Sequence, residues 1–593
     1  MLATIRNLLL SALVLALGLG TLDGILETAG LTANDDVLWA IVIDRVELWF
    51  FLGLALSTIW HVVFRGLHGR LGEDGASRLA TLLTFGPAFA LVALRINARL
   101  LPGKWEPSSL AANALLLVVG TGLFFALAAW FPKPHFKTRF GASAAALALI
   151  LLATGLVGTH EIAHARERST QPDILVILLD VLRADHLGCY GYDRPTSPNI
   201  DALAKDSIVF DSLIASSSYT KTSVASIFTG LNPQHHGVYT GTDGGGTGEV
   251  LSDVLQSRFI TIAEALQGPG KMNTAAWVEN GHVRDYLGYA QGFSFYADQP
   301  GDAKTIADEY GAWADQWTDL TRSFTYLHIL DLHGPYDPPV PYLGRFGDPR
   351  PMEEELRGLT WTKFKNQVNG HRITLSEEDY ARLEARYDES LLWVDHCVGG
   401  IIDGLKRRGT YDNTLILVIA DHGEGFGEHD FLAHSKTPYG ELVRVPLIVK
   451  MPGSAGAGRR VGEMVSHIDI APTLLDFVGV PAPKEWDGRS FLPLLESADA
   501  TMAPRTLISE YRGTIGLRTE DWLFISNPWK GERLYALRSD PEEQMNCIDA
   551  HPDVAATFRE EVEAIREEKK GFRNEQVELD SETIESLEAL GYL

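Results

Sequence analysis

The pattern of apolar and polar positions splits the chain into two unlike halves. Up to about His160 the sequence is dominated by Leu, Ala, Val and Phe. Five apolar runs stand out there, near Ile5–Leu26, Val46–Phe64, Leu79–Leu94, Ser109–Phe131 and Phe140–Gly158. A helix needs roughly 20 apolar residues to cross a bilayer, and these runs are apolar all round, not striped as a surface helix would be. The third is short and carries Pro87. A cleaved signal peptide would explain the first run alone, so residues 1–160 are expected to form an all-α transmembrane domain. Arg65, Arg70 and Arg78, then Lys133, Lys137 and Arg139, fall in loops expected on the cytoplasmic side, whereas Arg95, Arg99 and Lys104 dissent. On balance the N-terminus is cytoplasmic. An odd number of crossings then places the rest of the chain outside a bacterial inner or plasma membrane.

Polarity changes from Glu161 onward, and a linker over 161–172 precedes the second half. That half opens on DILVILLD, a continuous β-prone run of the kind buried on both faces of a parallel sheet, ending at Asp180. NTLILVIADH repeats the device and ends at Asp421 and His422. SFTYLHILDLHGPYDPP is a third such run, breaking near His333. Ligands of open α/β sheets gather at the carboxyl ends of strands. Two carboxylates and an imidazole meeting there would suit one divalent ion such as Ca, Mn or Zn. Either acid alone would be read as a loop or capping residue, and a lone His333 as structural. Between these runs, SSSYTKTSVASIFTG predicts a short helix ending at Gly230, with Thr220 at its start. Free backbone N–H groups at a helix start favour an anion, and a metal ion can activate a nearby alcohol. Local chemistry does not rank Thr220 above Thr222 or Ser223. The remaining hydroxyls are expected to cap the helix or bond the loop backbone.

Charge and cysteine content narrow the partners. A formal charge of −26 over 593 residues argues against nucleic acid. Cys189, Cys397 and Cys547 are odd in number and widely spaced, so no disulfide framework or thiolate metal site is expected. GTDGGGTGE, residues 241–249, reads as a flexible surface loop. His235, His236, His186, Cys189, His467 and Asp469 are read as packing, loop or capping residues.

From Asp173 onward the chain resembles the sulfatase branch of the alkaline phosphatase superfamily. The resemblance rests on LLDVLRADHLGCYGYDRPTSPNIDALAKDSIVF, TKTSVASIFTGLNPQHHGV, DLHGPYDPP, ADHGEGFGEHDFLAHSKTPYGELVRVPLIVKMPG, SHIDIAPTLLDFVGVP and LYALRSDPEEQMN, in the family's order. It implies an α/β domain with a mixed, mostly parallel sheet flanked by helices over 173–500, and a smaller C-terminal subdomain and helical tail over 501–593. It further implies that Asp180, Asp421 and His422, with Thr220, hold the metal and that Thr220 is the nucleophile. His333 corresponds to a substrate or leaving-group histidine. His434 and Lys436 fall where the family keeps basic groups for the substrate anion, and Lys221 and Thr222 are candidate substrate contacts.

Two departures matter. Sulfatases carry Cys or Ser in a C/S-x-P/A-x-R context and convert it to formylglycine, whereas here Thr220 takes that place and Val224 replaces the Arg. The usual paired aspartates after the first strand are Asp180 and Val181. One acid with Thr, Asp and His is similar to the one-metal site of membrane phosphoglycerol and phosphoethanolamine transferases. The expected function is therefore a membrane-anchored, metal-dependent hydrolase of sulfate, phosphate or phosphonate esters working through a covalent threonine. The alternatives are a head-group transferase acting on lipid or glycan and a non-catalytic relative that binds an anionic glycan. Expected partners are an anionic ester on lipid or glycan, and membrane lipid.

Overall fold

A computed structural model describes residues 171–593 apart from 240–241, 244–249, 317–321, 436, 571–573 and 591–593. The five apolar runs lie outside the described residues, as does Lys436. Among the described residues no helix is long and apolar enough to cross a membrane.

The continuous apolar runs become the inner strands of one large sheet. β1 (Asp173–Leu179) lies between β5 (Ser323–Ile329) and β6 (Thr414–Ile419), parallel to both. β3 (Asn273–Val278) and β4 (Phe295–Asp298) extend the parallel part beyond β5. On the other side β7 (Arg444–Lys450) pairs antiparallel with β6 and with β2 (Ile208–Ile214). The short Arg460–Val461 and Val465–Ser466 strands both pair with β2. The resulting order is Arg460–Val461, β2, β7, β6, β1, β5, β3, β4. A sheet that is mixed and mostly parallel agrees with expectation. Ile174 to Leu179 are buried throughout, as are Thr414 to Ile419. Burial on both faces is why these strands show no polar alternation.

Helix α1 (Thr220–Thr229) starts at the expected threonine and stops at Gly230, whose φ of 61° is the left-handed C-terminal conformation that glycine adopts without strain. All of its residues are buried. Helix α2 (Trp361–Asn369) follows β5, and the long α3 (Glu377–Arg408) returns the chain to β6. Ser376 and Asp379 form a capping box at the start of α3, and Lys406, Arg407 and Arg408 complement its carboxyl end.

A second sheet of four antiparallel strands follows: β8 (Leu507–Tyr511), β9 (Thr514–Arg518), β10 (Trp522–Asn527) and β11 (Gly531–Ala536). Its inner face packs Ile515, Leu517, Phe524 and Leu534 against Phe558, Val562 and Ile565 of α4 (Pro552–Glu568). β8 is tied to the segment leading into α1. The Glu510 N–H donates to the Ser216 carbonyl at 2.8 Å, and the Ser509 hydroxyl donates to the Ala215 carbonyl at 2.5 Å. The smaller sheet thus braces the loop that presents Thr220.

Candidate metal and ester site

Parallel pairing of β1 with β5 and β6 brings their carboxyl ends to one edge. Asp180 follows the last residue of β1, and Asp421 lies two positions after β6. Ligand atoms of Asp180, Asp421 and His422 lie within 4.8 Å of one another, and all three side chains are fully buried.

Each of these side chains is fixed at one atom and open at another. Asp180 Oδ2 accepts from Asn280 Nδ2 at 2.7 Å and from His328 Nε2 at 3.0 Å. Asp421 Oδ1 accepts from the backbone N–H of Val181 at 3.2 Å and of His422 at 2.9 Å. Among the described residues Asp180 Oδ1 and Asp421 Oδ2 have no hydrogen-bond partner. A buried carboxylate oxygen left unpaired costs about 1–3 kcal/mol or more, so these two lone pairs need an explanation. The His422 ring settles its own tautomer. Its Nδ1 lies 2.9 Å from the Gly423 carbonyl, which can only accept. Nδ1 therefore carries the proton and Nε2 presents a lone pair. That lone pair lies 3.1 Å from Thr220 Oγ1.

Electrostatics agree with this geometry. Burial opposes ionisation of Asp180, but the hydrogen bond and charge of His328 outweigh it and hold the carboxyl at about 2. Asp421 is pushed upward by burial and by the neighbouring Asp180 charge. Two neighbouring buried acids, one ionised and one resisting ionisation, are relieved by a cation between them. Asp180 Oδ1, Asp421 Oδ2 and His422 Nε2, with Thr220 Oγ1 beside them, form a donor set of oxygen and imidazole groups that fits one divalent ion, and the two acids and the histidine are oriented from behind as metal ligands usually are.

Val181 occupies the position where the family's second aspartate would stand, and its role is a backbone one. It adopts φ of 56°, an uncommon conformation for a β-branched residue. Its N–H donates to Asp421 Oδ1.

A second group adjoins the first. The His434 ring lies tilted against His422 with ring centroids 4.4 Å apart, and its Nε2 lies 3.3 Å from His333 Nε2. His333 Nδ1 donates to the Gly334 carbonyl at 2.8 Å, which leaves its Nε2 as an acceptor. His434 must then present Nε2–H toward His333 and accept at Nδ1, where Glu424 Oε1 lies 3.0 Å away. That requires a protonated Glu424, and burial does raise this carboxyl to about 8. Burial also lowers His333 to about 4 and holds His434 well below the usual imidazole range.

The other expected contacts are committed elsewhere. The Lys221 side chain is fully buried and donates to Ser252 Oγ, and burial brings its ammonium down to about 7. The hydrogen bond places the amine beside Ser252. Thr222 Oγ1 donates to the Tyr239 carbonyl at 3.1 Å, so its hydroxyl serves the loop. Ser223 and Thr229 bond backbone carbonyls as expected. The hydroxyls of Ser216, Ser217 and Ser218, however, have no partner among the described residues. Asn280, His328 and Glu424 were not anticipated. Asn280 follows the end of β3 and His328 lies within β5, so the strand-end rule that found Asp180 would have pointed to Asn280.

The Sulfatase family profile matches residues 172–480, just over half of the chain. The chain belongs to the sulfatase family. A profile described as N-sulphoglucosamine sulphohydrolase, C-terminal, matches residues 427–568. An arylsulfatase of Clostridium perfringens is 24% identical over 67% of this chain and 93% of its own length. Among solved structures, the phosphonate monoester hydrolase of Agrobacterium radiobacter aligns with TM-score 0.56 and 21% identity, over 69% of this chain and 100% of that one. The structure of BT4656 with its substrate D-glucosamine-2-N,6-O-disulfate aligns with TM-score 0.55 and 20% identity, over 68% of this chain and 98% of that one. These likenesses establish a sulfatase-type hydrolase fold.

Proposed function

We propose that this sulfatase-family protein is a membrane-anchored, metal-dependent hydrolase of sulfate or phosphate-type esters that works through a covalent Thr220 ester. The observation that carries the reading is the convergence of two unpaired buried carboxylate oxygens, the His422 lone pair and the Thr220 hydroxyl. Asp180, Asp421, His422 and Thr220 would hold the ion, which, when bound, lowers the hydroxyl's pKa and neutralises the substrate's charge.

Thr220 Oγ attacks sulfur or phosphorus as its proton passes to solvent, because the His422 Nε2 lone pair would be taken up by the ion. The new Oγ–S or Oγ–P bond forms while the bond to the leaving oxygen breaks. His434 stands beside His422 and presents Nε2–H; as that proton passes to the leaving oxygen, His434 Nδ1 takes the proton that Glu424 carries, so the buried acid is the proton source. Water then attacks the same sulfur or phosphorus, releasing the transferred group as sulfate, phosphate, phosphate monoester or phosphonate and restoring the threonine hydroxyl. Threonine cannot collapse to an aldehyde as a formylglycine hydrate does, so a second attack at the transferred atom is required. This favours phosphate or phosphonate esters chemically, while relatives such as BT4656 favour a sulfated sugar.

Thr220→Ala tests the reading. Turnover of an aryl sulfate or aryl phosphodiester should fall by about 10³-fold or more, and a slow substrate should leave its mass on the Thr220 peptide of the unaltered protein only. Turnover by Thr220→Ala at the original rate refutes the covalent role.

A further inference from the structure

α2 lies across the histidine pair and is fastened to both segments that carry it. At one end, the Trp361 ring fills the space beside Gly334, the residue after His333, so closely that a Cβ there would come within 2.4 Å of it. Trp361 also meets Tyr336 edge-on at 5.4 Å. At the other end, Asn369 makes a reciprocal pair with the backbone of Leu432, two residues before His434. Its Nδ2 donates to the Leu432 carbonyl at 2.9 Å, and its Oδ1 accepts from the Leu432 N–H at 2.8 Å.

Positions 361, 365 and 369 follow one another at i, i+4 and i+8 and so share a face. Lys365 is therefore on the face of α2 that both fasteners turn toward the site, roughly 6 Å along the helix from each. It is partly buried. The Lys365 charge acts on His333 and His434 alike, as well as on Glu424, which agrees with a place over the pair.

We propose that Lys365 is a specificity-determining residue that binds a second anionic group on the leaving-group side of the substrate; this rests on the hydrolase reading above. The reacting ester must sit at Thr220, next to the acid cluster. The histidine pair serves the departing oxygen. A cation carried on the cover of that pair meets whatever the departing oxygen is attached to, and it favours a leaving group that itself carries sulfate, phosphate or carboxylate. The expected substrate class is thus a polyanionic ester, of which a disulfated amino sugar is an example, and not an aryl ester with an uncharged leaving group.

The test compares two probes, 4-nitrophenyl sulfate and D-glucosamine-2-N,6-O-disulfate, in full-length protein with Lys365 or with Lys365→Met or Lys365→Arg. Lys365→Met should raise KM for the disulfate by about 10-fold, the worth of one charge-assisted hydrogen bond, with less than about 2-fold change for the aryl ester, and Lys365→Arg should restore most of the loss. Calorimetric titration of the disulfate into Thr220→Ala, with and without Lys365→Met, reads the same difference without turnover. Equal effects on both probes overturn the inference. So does a Thr220→Ala protein that fails to bind the disulfate, or binds it equally well without the lysine. If Thr220→Ala instead keeps its activity, the covalent reading fails while the affinity comparison still decides the role of Lys365. Thermal melting that matches the unaltered protein shows that Lys365→Met is folded.

Discussion

Two buried clusters of aspartate and histidine lie after β1, and they are built to opposite rules. In one, Asp388 of α3 uses both oxygens: Oδ1 meets His186 Nδ1 at 2.7 Å, and Oδ2 accepts from Tyr192 OH at 2.7 Å and from Arg194 Nη1 at 2.7 Å. In the other, Asp180 and Asp421 each keep one oxygen unused. Both acids are as buried as Asp388. Burial and residue type therefore do not separate structural from functional acids here; the count of satisfied lone pairs does. A closed network anchors the loop after β1 to α3. An open one is a place for a ligand.

Breaking the open cluster should have the largest effect. Asp421→Asn removes charge but keeps shape, and turnover should fall about 10³-fold or more with loss of bound divalent ion, read by steady-state kinetics and by elemental analysis. Asp388→Asn should do the reverse: the fold loses about 3 kcal/mol because His186 and Arg194 lose their charged partner, read by denaturant unfolding, while bound ion per folded protein is unchanged. If Asp388→Asn lost the ion and Asp421→Asn only destabilised the fold, the distinction drawn here would be wrong.

Adding a divalent ion sharpens the comparison further. At about 100 times its Kd, a ligand that binds only the folded state stabilises by ~2.7 kcal/mol. Melting of the unaltered protein should rise accordingly, and melting of Asp180→Asn should not.

At neutral pH no effect is expected from two histidines held neutral by their surroundings, and theirs appears only on acidification. His236 Nδ1 accepts from the Val238 N–H at 3.0 Å, and His467 Nδ1 accepts from the Ser216 N–H at 3.3 Å. Burial lowers both to about 3. Between about 3 and 6.5 the unfolded chain binds protons that the folded chain refuses, so stability falls as pH drops through that window, by ~1.4 kcal/mol per pH unit for each such histidine. His236→Gln should flatten the slope of melting temperature against pH over that range. An unchanged slope would show that His236 does not stay neutral.

The sequence made some of this legible and hid the rest for physical reasons. Strands buried on both faces are written as unbroken apolar runs, so β1 and β6 and the acids at their ends could be read directly. Thr220 could be placed at a helix start but was ranked only by resemblance. Asn280 and His328 reach Asp180 through the pairing of β3, β5 and β1, and pairing is non-local. Lys221 looked like a substrate cation because nothing local says which way a helix's first turn faces. Lys365 gave no signal, since its meaning depends on what Trp361 and Asn369 touch. Val181 read as a missing ligand, whereas its amide is what the site uses.

The left-handed backbone at Val181 has a consequence for how the protein matures. A free valine prefers an extended conformation, not the left-handed one found at Val181. Only the completed sheet imposes the rarer geometry. A nascent chain therefore carries every candidate ligand residue without yet possessing an arrangement to grip an ion, and cation capture should come after the strands have docked, sealing the architecture and not seeding it.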